Sequence, residues 1–199
     1  MDIDFSPLFN QTITAEHFAA KLTKGDLRRA TTGALDWIRD VVKGMTDAQL
    51  THVPNDPNAN DTFAASEDEK HIGWSLAHLV LHVTASAEEY ATFAALVARG
   101  IEVPAGIRLR YEQGWREVTT KTQVLARIEE SRRMLLALLD TWPDEPQLTI
   151  YRKYLEGSPR FGQKINAIAS HMLGLSHLAS HIEQIKHVAA EVSAPAQTA

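Results

Sequence analysis

Residues 74–100, WSLAHLVLHVTASAEEYATFAALVARG, decide the fold class. Apolar and small residues fill almost every position of the middle: Leu76, Ala77, Leu79, Val80, Leu81, Val83, Ala85 and Ala87. A stretch this long, apolar on all sides and free of internal proline, reads as a helix buried at the centre of a helical protein. Ser75 is placed to cap its first turn, and Gly100 follows Arg99 where the helix should stop. The stretch carries two histidines four apart, His78 and His82, which project from one face.

Other helices flank it. Leu27, Ala30, Ala34, Ile38, Val41 and Met45 step by three and four, giving one apolar stripe over about 26–45. Gly25-Asp26 reads as a break before it and Gly44 with Thr46-Asp47 as its end; a shorter helix is expected after Thr14. Downstream, Thr120 and Gln123 fit a capping box, and Val124, Ile128, Leu135, Leu138 and Trp142 share a face until Pro143. The last segment, about 160–191, begins near Ser158-Pro159 or Gly162, carries Ile165, Ile168, Met172, Leu175, Ile182 and Ile185, and ends before Pro195. The expectation is all-α: a four-helix bundle with two long connections, 51–73 and 100–118, lying outside the core.

Composition narrows the function classes. The 199 residues, 44% hydrophobic, suit one domain spanning the chain, with its core at about 26–191. Twenty basic and 25 acidic side chains give a net charge of −5, without the basic footprint of a nucleic-acid binder. No apolar run is long enough to span a bilayer, and MDIDFSPLF lacks the positive start of a secretory signal, so a soluble, cytoplasmic protein is expected. Cysteine is absent, which excludes disulfides, zinc–thiolate sites and a cysteine nucleophile. Any thiol chemistry must use an external thiol. Assembly is left open, a homodimer included.

The histidines carry the chemistry. In HLASHIEQI, residues 177–185, His177 and His181 stand one helical turn apart beside Ser170, Gly174 and Gln184, small or polar neighbours that leave room for more than packing. A third imidazole from the central helix, His78 or His82, would complete a three-histidine site with an open position. A single buried histidine is ordinarily a core residue bonded to a carbonyl. Two HxxxH pairs on separate apolar helices are costly to desolvate unless something such as a divalent cation satisfies them. His171 and His187 lie six positions from the pair, a rotation of about 240°, and are expected to face solvent. His17, His52 and His71 are given no role. There is no HExxH, glycine-rich phosphate loop, GxSxG elbow or Ser–His–Asp order.

The pattern WSLAHLVLHV, preceded by MTDAQL at 45–50 and followed by HLASHIEQI, resembles the DinB-like superfamily of DNA-damage-inducible-type four-helix proteins. The resemblance covers nearly the whole chain from the first main helix to the last. In that family a histidine follows eight positions after the tryptophan that opens the second helix, which selects His82; His78 becomes a neighbour or an optional fourth group. The last-helix pattern falls on His177, His181, Gln184 and Ile185. The resemblance implies a bundle holding nickel or zinc on three histidines. It also implies, for some relatives, transfer of a low-molecular-weight thiol such as bacillithiol or mycothiol to a small electrophile. A metal-dependent hydrolase, and a non-catalytic metal-binding, ligand-binding or structural bundle, are the alternatives. Arg108, Arg110 and Arg116, in the second connection, are candidates to bind carboxylates of the thiol or substrate, and Gln184 to orient a ligand.

Overall fold

The computed structural model describes residues 3–57, 59–61 and 66–194. Asn58 and residues 62–65 of the first connection, and Pro195, the expected stop of the last helix, lie outside the described residues. The helices are α1 (Ser6–Phe9), α2 (Ala15–Ala19), α3 (Lys24–Lys43), α4 (Asp47–Thr51), α5 (Glu67–Lys70), α6 (Leu76–Ala98), α7 (Lys121–Asp140), α8 (Ala167–Ser180) and α9 (Ile182–Ser193), with a 3-10 turn at Trp115–Glu117. Among the described residues there is no strand, and none of the helices is long and apolar enough to cross a membrane.

Four long helices make the bundle. α6 packs on α7 and α8, and α3 packs on the same two, which closes the ring. As its composition demands, α6 is buried nearly throughout, down to Glu88 and Glu89. Burying a carboxylate requires a partner. Arg127 of α7 reaches both oxygens of Glu88 at 2.7 Å, and Arg108 grips Glu89 through Nε at 2.9 Å and Nη2 at 3.1 Å. The helix starts where Ser75 Oγ accepts the His78 N–H and ends in a Schellman arrangement, with Gly100 at φ 79° and the Ile101 N–H bonded to the Leu96 carbonyl.

Three boundaries differ from expectation. Gly25-Asp26 is not a break: Thr23 caps α3, accepting the Asp26 N–H while the Asp26 carboxylate takes the Thr23 N–H, so both residues lie in the first turn. The last long segment starts at Ala167, capped by Asn166, rather than near 158–162. Residues 153–164 form a loop whose ends are pinned by the Arg152–Ile165 bridge, with Gly157 and Gly162 both at positive φ. Finally, that segment is broken at His181. The Ser180 hydroxyl donates to the His177 carbonyl at 2.7 Å, and the His181 N–H turns to Leu178 instead, so α8 and α9 are separate pieces.

The connections are not wholly outside the core. Val118 is buried, as are Phe5, Ala15 and Ala19 of the N-terminal segment, where α2 packs on α8. Gly174 explains the small residues beside the histidines. A Cβ there would stand 2.9 Å from Tyr90 Cβ and 3.1 Å from Ala87 Cα, so the glycine lets α8 close on α6. Ser170 Oγ bonds the Tyr90 carbonyl across the same contact. These residues serve helix packing, not vacant space.

Candidate metal centre

His82 comes from the first half of α6, His177 from the last turn of α8, and His181 from the break between α8 and α9. Because Gly174 draws α8 onto α6 one turn before His177, the three rings form a nearly equilateral triangle, with centroids 5.0, 5.1 and 4.9 Å apart. One ring nitrogen from each lies within 4.8 Å of the others. His82 Nε2 and His177 Nε2 are 3.3 Å apart. Two nitrogens bound to one tetrahedral zinc at ordinary bond lengths stand about 3.3–3.4 Å apart. The group can therefore hold a metal ion.

The surroundings of each ring bear on that fit. Burial pushes His82 down to about 2, with the Arg110 guanidinium adding to the effect, and burial pushes His177 down to about 4. Both rings are neutral near pH 7, the form that ligates. His181 Nδ1 donates to Gln184 Oε1 at 2.8 Å, which leaves Nε2 with its lone pair. His177 Nδ1 is buried and unpartnered, so its sole polar connection runs through Nε2, toward the other rings. His82 needs one change. Arg110 Nη2 donates to its Nδ1 at 2.9 Å, which puts the ring proton on Nε2. Ligation through Nε2 asks for the other tautomer, and Glu112 Oε1, 3.8 Å from Nδ1, is the acceptor at hand.

His78 stands outside the triangle. Its ring stacks on Trp115, 5.2 Å away at 6°, with Glu112 Oε1 at 3.9 Å from Nε2, and burial lowers it to about 4. Trp74 closes one side, its ring 4.5 Å from His82, 4.7 Å from His78 and 5.8 Å from His181. The three arginines of the second connection are all tied to carboxylates: Arg108 to Glu89, Arg110 to Glu112 and Ser86, and Arg116 to Glu69 while lying over Trp115. Trp74 reads from sequence as the residue that opens the second helix, not as part of the site, and Glu112 is not singled out; Glu112 is signalled only by its place two residues beyond Arg110.

The remaining histidines divide as expected, with one exception. His187 is exposed, His17 bonds its helix cap Thr14 at 2.8 Å, His52 is exposed, and His71 bonds the Ala59 carbonyl at 2.9 Å. His171, expected in solvent, is 2% exposed. The first three turns of α8 are covered on every side, so a face 240° from the histidine triangle is still interior, and there His171 Nε2 meets Thr31 Oγ1 of α3 at 3.1 Å.

Two cavities reach the triangle and share no lining residue. One, of about 510 Å³, lies beneath residues 108–117 and reaches His82 and His78. The other, of about 880 Å³, lies between the N-terminal helices, α8 and the 159–164 segment, and reaches His177.

Fold and site together define a helical-bundle protein with three histidines from adjoining helices gathered at a pocketed centre. Residues 30–185 match the family model of the DinB superfamily, and the chain belongs to that superfamily. No curated protein and no solved structure matches it.

Proposed function

We propose that this protein is a divalent-metal-dependent S-transferase joining a low-molecular-weight thiol to a small electrophile. The observation that carries the reading is a pair of separate cavities, each bordered by a different histidine of the triangle, His82 for the smaller and His177 for the larger. Two separate cavities can seat two organic molecules, a thiol and an electrophile, whereas hydrolysis has one organic substrate and water. His82, His177 and His181 would hold the ion, nickel or zinc by the character of an all-nitrogen donor set, and such an ion supplies Lewis acidity that favours the thiolate at neutral pH.

The protein's own groups divide the remaining work. Gln184 fixes the His181 ring through Nδ1, and Trp74 keeps water from one side of the triangle. Arg108 and Arg116 border the smaller cavity with 61% and 52% of their side chains exposed. A guanidinium has five donors, so each can take a thiol carboxylate while keeping its own glutamate. The absence of cysteine is consistent with a thiol that arrives from outside.

The test compares nickel, zinc and chelated forms, each incubated with bacillithiol, mycothiol or glutathione and a model electrophile such as monochlorobimane, beside His181→Ala. Metal-dependent conjugate formation that His181→Ala abolishes is the expected outcome. Equal rates in all samples, with no metal-dependent thiol binding, would overturn the reading.

A further inference from the structure

The larger cavity has a chemistry of its own. Phe9, Ile13, Tyr90 and Leu173 give it apolar walls. Arg160 and Lys164 project from the pinned 153–164 loop into its lining. Among the described residues neither side chain has an ion pair or hydrogen bond, in contrast to Arg108, Arg110 and Arg116, which are all matched. Among the described residues Glu16 is the single acidic residue in the lining, and it is exposed. Among the described residues the cavity is thus lined by two unmatched cations and one carboxylate, with apolar side chains between polar ones and His177 of the triangle in its wall.

A second observation comes from the same lining. Gln11, also in the lining, has φ 55°, a left-handed conformation that residues with a Cβ adopt at a cost and that gathers at ligand sites. The volume, about 880 Å³, falls in the range of small-molecule pockets.

We infer that this cavity binds the acceptor substrate of the transfer reaction, and that the acceptor is a small organic anion: an apolar body against Phe9, Ile13, Tyr90 and Leu173, and a carboxylate or phosphate head held by Arg160 and Lys164. The word acceptor rests on the transferase reading; the anion site itself does not. Both cations are positioning residues, since they hold the head while the body extends toward His177.

The experiment measures binding rather than turnover. 4-Phenylbutyrate, phenyl phosphate and the neutral 4-phenyl-1-butanol are titrated into the full chain, zinc-loaded and chelated, by calorimetry and by NMR of the histidine ring signals. The anions should bind with or without zinc, at least about tenfold tighter than the alcohol, and shift the His177 ring signals. Comparing carboxylate with phosphate identifies the head group. Arg160→Gln and Lys164→Gln should each weaken anion binding several-fold, and together bring it to the level of the alcohol, with no change in Tm because neither side chain has a partner to lose. Arg133→Gln, exposed on α7 and outside the cavity lining, should leave it unchanged. Equal affinity for anions and alcohol, an unaffected double variant, or a loss on Arg133→Gln would each overturn the assignment. Anion binding that survives while zinc and thiol binding fail would remove the transferase reading and leave the anion site standing.

Discussion

Gly174→Ala tests the contact on which the histidine triangle depends. The added Cβ would lie 2.9 Å from Tyr90 Cβ, 3.1 Å from Ala87 Cα and 3.2 Å from the Ala87 carbonyl oxygen. Carbon atoms pack best at about 3.5–4.0 Å, and two of these three neighbours are backbone that cannot rotate away, so α8 must back off by roughly 0.5–1 Å. Overpacking of this kind costs about 1–3 kcal/mol, against about 1 kcal/mol gained by replacing a helical glycine with alanine. The net expectation is a loss of about 1 kcal/mol. Gly33, in α3, has nothing within 4 Å of its Cβ position, so Gly33→Ala should raise stability by up to about 1 kcal/mol. Urea unfolding followed by far-UV circular dichroism reads both signs. A retreat of this size also exceeds the roughly 0.2 Å tolerance of a metal–ligand bond, so zinc affinity, followed by Trp74 fluorescence, should fall at least about tenfold in Gly174→Ala and hold in Gly33→Ala. If both substitutions stabilise and both bind zinc like the parent, the close approach of α8 to α6 does not set the site.

Three further outcomes are expected. Burial holds His171 at about 4, below its ordinary 6.5, so an unfolded chain takes up a proton that the folded one refuses. Stability from this residue is intact above about pH 6.5 and is lost as pH falls toward 4, by about 3 kcal/mol; His171→Met should flatten that part of the pH dependence in urea melts. Gln184→Leu removes the acceptor on His181 Nδ1 and should weaken zinc binding by about 10–100-fold in competition with a chelating dye while sparing Tm. Arg127→Met strands Glu88, whose side chain is 10% exposed, and should cost about 3–5 kcal/mol; adding Glu88→Met should recover most of it.

What the sequence made legible follows from how each signal arises. The α6 reading held because an apolar run from Leu76 to Ala87 admits few alternatives, and the capping box at Thr120 and the cap at Ser75 are local chemistry. The structure gathers His82, His177 and His181; helical spacing points to His177 and His181, and only the family pattern chooses His82 over His78. Gly25-Asp26 misled because glycine and aspartate suit a break as well as a first turn, and only the hydrogen bonds with Thr23 separate the two. The break at His181 follows from the Ser180 hydroxyl choosing a carbonyl, and serine makes that choice only in some helices. His171 went astray because an angle around a helix gives direction, not depth. Arg160 and Lys164 carry no motif; their significance is that nothing among the described residues neutralises them, and pairing across a fold is invisible in one dimension.

The break at His181 makes the histidine triangle a joint as well as a site. Two of its members sit on α6 and α8, while the third begins α9, so an ion held by all three would link a separate helix to the bundle. Detachment of α9 would then have to surrender one nitrogen, and where the ion leaves with it the free energy of detachment would rise with ion concentration, by at most about 4 kcal/mol at a thousand times Kd. Amide hydrogens along Ile182–Ser193 would exchange up to about a thousandfold more slowly under those conditions, and the C-terminal helix would act as a gauge of how much metal the surroundings supply.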